Sequence, residues 1–195
     1  HHEQAAGFSA EGYARVSGLP GIALATSGPG ATNLLTAIGS CFFDSTPVIF
    51  ITGQVNTYEQ SNDINVRQLG FQETNIVAIS SPITKISVQV NNINDLPSFL
   101  EEVFNLSISG RPGPCLIDIP MNIQSEDISD HLIGKYLKEC LPKNNIELDL
   151  NYKDLEENLI ELLDDIDSYN RPLLLLGGGC ASLKNRESAK LIVKN

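Results

Sequence analysis

Apolar and polar positions change their period along the chain, and each change marks an element. Over residues 3–16 the small and aromatic side chains Ala6, Ala10, Tyr13 and Ala14 recur at helical spacing, and Gly18, Pro20 and Gly21 end the pattern. A stripe of such small residues predicts a helix pressed close against its neighbour. Residues 21–26 and 47–52 are short runs that are apolar nearly throughout, and residues 31–44 between them read as a helix. Strand, helix, strand with both strands apolar predicts a βαβ unit in a parallel sheet covered on both faces. Residues 56–68 are polar without period and read as a loop, of a length that is often functional in compact domains. A short segment follows over 71–79, and a strand is expected at 85–90. A helix is expected at 96–108, with Leu96, Phe99, Leu100, Val103, Phe104 and Leu106 apolar. A Gly-Pro turn at 110–114 leads into a last strand at 115–120.

After Pro120 the composition turns polar and charged. The pattern predicts a first domain over 1–128, a linker over 129–150, and the start of a second α/β domain over 151–195. That second part reads as a helix from Asn151, a buried strand at 172–176, a Gly177-Gly178-Gly179 turn and a further helix at 185–194. The one methionine is Met121, and a helical pattern is already running at Glu3. The expectation is a piece of a longer protein, whose first domain lacks its opening strand and whose second is cut short.

The chain has 195 residues, 42% hydrophobic and 19% charged, an ordinary balance for a soluble globular protein. Net charge is −11, from 24 acidic and 13 basic residues, which argues against a nucleic-acid partner, since that needs a basic face. Cys41, Cys115, Cys140 and Cys180 lie far apart and read as free thiols rather than a disulfide frame or a zinc site. No secretory signal or membrane-length apolar run is present, so no membrane partner and a cytoplasmic location are expected. His1, His2 and His131 are not spaced as metal ligands, and Ser27 and Ser45 have no evident histidine base.

Two stretches carry candidate chemistry. Glu3, in the first turn of its helix, suits the positive end of the helix dipole, and it equally suits a catalytic carboxylate beside a heteroaromatic cofactor. Ser27-Gly28-Pro29-Gly30-Ala31-Thr32-Asn33 joins a strand to a helix, where open α/β sheets place ligands; a simple tight turn explains it as well. It is not a standard dinucleotide fingerprint, because Pro29 lacks the N–H that a phosphate cradle uses and Asn33 stands where a small residue is needed. The Gly177-Gly178-Gly179 turn is either a nucleotide approach point or a plain post-strand turn.

Read together and in order, His2-Glu3-Gln4-Ala5-Ala6, Glu11-Gly12-Tyr13-Ala14-Arg15, Thr26-Ser27-Gly28-Pro29-Gly30-Ala31-Thr32-Asn33, Ile51-Thr52-Gly53-Gln54-Val55, Phe71-Gln72-Glu73, Gly110-Arg111-Pro112-Gly113-Pro114 and Asp118-Ile119-Pro120 resemble the thiamine-diphosphate-dependent decarboxylase and carboligase family, in particular its acetolactate synthase branch. The resemblance is dense over 1–128 and looser beyond. It implies a pyrimidine-binding domain of the thiamine-diphosphate fold, followed by the start of a Rossmann-like central domain. It also implies magnesium and diphosphate ligands in a further, C-terminal domain, and a homodimer or homotetramer with a possible regulatory subunit.

Carried over by motif, Glu3 would be the activating glutamate that hydrogen-bonds the pyrimidine nitrogen and favours the imino tautomer, so that the thiazolium carbon can lose its proton. Pro29, Asn33 and Gln54 would line the cofactor pocket. Phe71 and Gln72 would face the substrate. Gly178 and Gly179 would touch a non-redox flavin (FAD). The implied reaction is decarboxylation of a 2-keto acid such as pyruvate, followed by carboligation. Another 2-keto-acid decarboxylase or carboligase of the family is the alternative, and a non-catalytic nucleotide-binding module is a third. Met121 stands where acetolactate synthases usually carry a lysine, and residues 56–69 depart from the usual loop; both imply a different acceptor.

Overall fold

Parallel pairing organises the first part of the chain. The computed structural model describes residues 2–61, 65–129, 134, 160–166, 168–171, 173, 175–181 and 190. Strands β1 (Gly21–Ala25), β2 (Val48–Gln54), β3 (Ile86–Gln89) and β4 (Cys115–Pro120) form one sheet in the order β1-β2-β4-β3, all parallel. Helices α1 (Glu3–Ser17), α2 (Pro29–Asn33), α3 (Leu35–Phe43), α4 (Ile76–Ser80), α5 (Leu96–Ile108) and α6 (Met121–Gln124) flank it. This is an α/β architecture with a helix-flanked parallel sheet, as the apolar runs predicted.

Side chains alternate across each strand, which sorts them into two cores. Ala23, Val48, Phe50 and Leu116 point toward α1 and α3, where they meet Ala10, Ala14, Ala37 and Ile38. Ile49, Cys115 and Ile117 point the other way, toward Val103 of α5. That second face is covered only in part. Ile22 and Leu24 of β1 are 62% and 68% exposed, because the elements packed on that face reach β4 and β2 but leave β1 bare. The expectation of a sheet covered on both faces therefore fails at β1.

Several boundaries differ from the pattern reading. The helix expected at 31–44 starts earlier, with Pro29 as its first residue, and breaks at Leu34 into α2 and α3. Strand β2 continues through Gly53 and Gln54, which pair with Ile119 and Pro120. The loop after it holds a one-turn 3-10 helix, Thr57–Glu59, closed by a capping box between Asn56 and Glu59. The chain beyond Pro120 opens with α6, and Ile123 and Ile128 pack on the α5-side core, so the first unit does not end at the last strand.

By contact the chain divides into units His1–Asn144 and Asn145–Asn195. In the second unit residues 160–166 are helical and Gly178–Ala181 form a 3-10 turn. Leu173, Leu175 and Leu176, expected in a buried strand, are irregular and exposed; no partner strand pairs with them among the described residues. The rest of the expected linker, the opening of the helix from Asn151 and nearly all of the helix at 185–194 lie outside the described residues, as do His1, His131 and Cys140.

Cys41 and Cys115 are fully buried free thiols. Burial pushes Cys41 up to about 12 and Cys115 up to about 11. Since the thiolate is the nucleophile, iodoacetamide at neutral pH should leave both unmodified in the folded protein and alkylate both after denaturation. Peptide mass mapping checks this.

Candidate active site

Glu3 owes its place to the seating of α1. His2 caps the helix, its Nδ1 accepting from the Gln4 N–H at 3.2 Å. The stripe of small residues then lets α1 lie directly on its neighbours. A Cβ added at Gly7 would fall 2.5 Å from Ala37 Cβ, and one at Gly21 would fall 2.1 Å from the Ala10 carbonyl oxygen. A charged clasp fixes the far end. Glu11, 5% exposed, accepts from Arg15 Nη2 at 2.5 Å and from Ser40 Oγ at 3.2 Å, and Arg15 also donates to Asp44.

The turn after β1 closes over this helix start. Gly28 has φ +62 and is followed by Pro29, which opens α2. A Cβ at Gly30 would lie 2.7 Å from Thr26 Cγ2 and 3.5 Å from Glu3 Oε1, so glycine keeps this approach to the carboxylate open. Asn33, one α-turn on, donates from Nδ2 to Glu3 Oε2 at 3.1 Å. That donation first, and then Glu3's own backbone N–H, hold the carboxyl below its usual range, against partial desolvation. The structure thus joins two sequence candidates, Glu3 and Asn33, at one place, with Gly30 leaving room beside the carboxylate and Pro29 opening the short helix that carries Asn33.

A cleft of about 800 Å³ opens at the carboxyl ends of β1, β2 and β4, lined by Leu24, Ile51, Gly53, Phe71, Met121 and Gln124 among others. Phe71 is 81% exposed and faces it. Gln72 has φ +61, rare for a residue with a side chain, and packs on the glycine turn: a Cβ at Gly28 would fall 2.7 Å from Gln72 Cβ. Gln54 also lines the cleft, but its side chain is turned inward. Its Nε2 donates to Thr74 O at 2.7 Å and to Asp118 Oδ2 at 3.0 Å, and its Oε1 accepts from Val55 N at 3.0 Å. Gly178 and Gly179 lie in the second unit, exposed, and an added Cβ at either meets nothing within 4 Å.

Sequence reasoning passed over the polar network beneath the cleft. Asp118 of β4 is 1% exposed and accepts from Thr52 Oγ1 at 2.7 Å, Gln54 Nε2 at 3.0 Å and Gln89 Nε2 at 3.0 Å. Its signal was a carboxylate inside an otherwise apolar strand, which must find donors when buried. Glu73 is a second such anchor, gathering Ser61 N, Ser61 Oγ and Leu69 N at 2.6–2.7 Å and so tying the base of the long loop. A third tie links the loop to α6, where Asn122 accepts from Thr57 N at 2.9 Å and donates to Thr57 Oγ1 at 3.1 Å. No cluster of three or more His, Cys, Asp or Glu side chains able to hold a metal occurs among the described residues. No helix among them is long and apolar enough to cross a membrane.

Burial raises Asp118 above the ordinary aspartate range, its three donors pulling the other way. Between the unfolded value of about 3.9 and that raised value, the folded chain holds the proton more tightly than the unfolded chain. The contribution of Asp118 to stability should therefore fall as pH rises through this window. In Asp118→Asn that component should vanish, which melting curves from pH 4 to 7 would show as a Tm difference that grows with pH in favour of the variant.

Residues 1–79 match the family described as "Thiamine pyrophosphate enzyme, N-terminal TPP binding domain". Over 180 residues, 91% of this chain, it is 39% identical to the mitochondrial acetolactate synthase catalytic subunit of Aspergillus candidus. Over 187 residues, 93% of the chain, it is 41% identical to the chloroplastic acetolactate synthase 1 of Oryza sativa subsp. japonica. Over 127 residues, 65% of the chain, it is 48% identical to the acetolactate synthase large subunit of Corynebacterium glutamicum. The matched regions span about a quarter of the first two relatives, 25% and 26%, and 19% of the third. The family match covers the helix that carries Glu3 and the turn that carries Pro29 and Asn33, and this part of the chain is thus similar to the N-terminal domain of the thiamine pyrophosphate enzymes.

Proposed function

We propose that the whole protein is an acetolactate-synthase-like enzyme, which decarboxylates a 2-keto acid such as pyruvate and joins the resulting two-carbon unit to a second carbonyl compound. The observation that carries this reading is the Glu3–Asn33 pair, a carboxylate oriented by a side-chain amide at the carboxyl end of a parallel sheet. When bound, thiamine pyrophosphate supplies an electron sink for the carbanion left by decarboxylation. The residues of this chain supply orientation and proton control. Asn33 holds one Glu3 oxygen by donation from Nδ2, which fixes the carboxylate plane. Glu3 then shares a proton with a ring nitrogen brought against its carboxylate, taking and returning it as the chemistry needs. Pro29 offers an apolar, conformationally fixed surface beside it, with no N–H of its own to be satisfied. Phe71, on the rim of the cleft, shields the substrate side from water.

The same reading includes magnesium bound through a diphosphate-binding domain, a homodimer or homotetramer, and a cytoplasmic location. A flavin near Gly178 and Gly179 is part of it on the resemblance alone. The "catalytic subunit" name of the Aspergillus candidus relative supports a regulatory partner for this protein too. Met121 at the cleft, in place of the lysine usual in the resemblance, supports an acceptor other than a second pyruvate.

The whole protein should bind thiamine pyrophosphate with magnesium and consume pyruvate only when both are present. Formation of acetolactate or another ketol supports carboligation. Acetaldehyde alone moves the assignment to a simple decarboxylase. Failure to bind thiamine pyrophosphate overturns the reading in favour of a non-catalytic module.

A further inference from the structure

The pyrimidine-side turn and the substrate-side turn touch at one point, Gly28 against Gln72. Both residues have left-handed backbone, φ +62 and φ +61. Glycine adopts this freely, whereas Gln72 needs its surroundings to hold it there. Those surroundings trace back to a buried charge. Thr74 Oγ1 donates to the Gln72 carbonyl at 3.3 Å, and the Thr74 carbonyl accepts from Gln54 Nε2 at 2.7 Å. Gln54 gives its second N–H to Asp118, and Asp118 also gathers Thr52 and Gln89 from the strands on either side. Gln54, expected at the cofactor, thus spends both amide hydrogens on protein. Asp118 is not among the residues that line the cleft.

We infer that Asp118, Gln54 and Thr74 form a brace that holds Gln72 against Gly28, so that Asp118 is a positioning residue for the site although it touches no ligand. The inference rests on the thiamine pyrophosphate reading for its kinetic consequence only; the brace itself is a property of the free chain. The direction of each bond makes it testable. An Asn at 118 can turn its carbonyl to both glutamines and donate from Nδ2 to the Thr52 hydroxyl, which serves as donor or acceptor. A Leu at 118 leaves both glutamine amides without their acceptor. A Val at 74 keeps the shape of threonine and removes only the hydroxyl that holds Gln72.

The experiment compares whole wild-type protein with Asp118→Leu, Asp118→Asn and Thr74→Val. Amide hydrogen exchange over residues 26–32 and 70–74 is read without cofactor, and then pyruvate KM, kcat and the thiamine pyrophosphate Kd are measured. Asp118→Leu should speed exchange in both segments and raise KM by roughly 10- to 100-fold, as expected when a substrate-side group is displaced by about 1 Å. Thr74→Val should do the same by about three- to tenfold, the effect of one hydrogen bond. Asp118→Asn should stay close to wild type in exchange and in KM. The Kd should move less than KM in every variant, because the Glu3–Asn33 bond is outside the brace. If Asp118→Leu does not fold, Thr74→Val decides. Unchanged exchange at 26–32 in that variant overturns the brace, as does damage in Asp118→Asn equal to that in Asp118→Leu. Wild-type protein that binds no thiamine pyrophosphate overturns the functional reading instead, while the exchange data still judge the brace.

Discussion

Glu3→Gln in the whole protein should fold like wild type and lose turnover by about two to four orders of magnitude, the usual share of a positioned acid–base group. Glutamine matches glutamate in size, and its carbonyl can still accept from Asn33 Nδ2, so the geometry of the Glu3–Asn33 pair survives. What it cannot do is share a proton with a ring nitrogen. The half-exposed setting of Glu3 at a helix start means that stability should hardly change. Steady-state kcat with pyruvate and a melting curve separate the two effects. Unchanged turnover in a well-folded variant would remove Glu3 from the chemistry and the proposed mechanism with it.

Gly21→Ala should be the most damaging single methyl in the first unit. The added Cβ would lie 2.1 Å from the Ala10 carbonyl oxygen, 2.6 Å from its carbon and 3.0 Å from Ala10 Cα. These are backbone atoms of α1, so no rotamer change relieves the clash and the helix must lift off β1. Overpacking of this kind costs typically about 1–3 kcal/mol and sometimes more, and the backbone contact places this case at the upper end. At about 2–8 °C per kcal/mol, a fall in Tm on the order of 10 °C is expected. Because α1 carries Glu3 at its start, thiamine pyrophosphate affinity should fall in the same variant. Gly12→Ala is the internal control. It lies in the same helix with nothing within 4 Å, and alanine there should stabilise by about 0.5–1 kcal/mol. A Gly21→Ala protein that melts with wild type would show that α1 is not seated as described.

The legibility of the chain followed the strength of each local signal. Helix α5 matches its apolar pattern to the residue, 96–108, because six apolar positions recur at helical spacing and a Gly-Pro turn closes it. Strand β4 was equally plain, being bounded by prolines. Strand β2 runs two residues past its apolar pattern, since Gly53 and Gln54 are poor strand formers by themselves and pairing with Ile119 and Pro120 carries the strand on. The break at Leu34 has no sequence mark, and it arises from a tighter turn in which Leu34 N–H donates to the Ala31 carbonyl. At the site, periodicity alone left Glu3 indistinguishable from a residue that merely suits a helix start. Only the run of ordered motifs tied it to Asn33, thirty positions away by number, and the 3.1 Å bond then gave that tie a geometry. The inward turn of Gln54 is invisible in either way, because it depends on a carboxylate 64 positions further along the chain.

The two margins of the sheet are finished differently, and this bears on how the chain behaves as a solute. β3 is four residues long and carries Ser87 and Gln89, with Ser87 Oγ bonded to Ser80 and Thr84. A short, polar margin of that kind gives an incoming chain little to pair with. β1 pairs only with β2 among the described strands, and beside its open row of backbone donors and acceptors stand the bare side chains of Ile22 and Leu24. An apolar, unguarded margin is a template for another strand. Prepared by itself at high concentration, this stretch should therefore be colloidally fragile through β1, and a single lysine at Ile22, on the same bare face but not among the residues lining the cleft, is the substitution that would make it tractable.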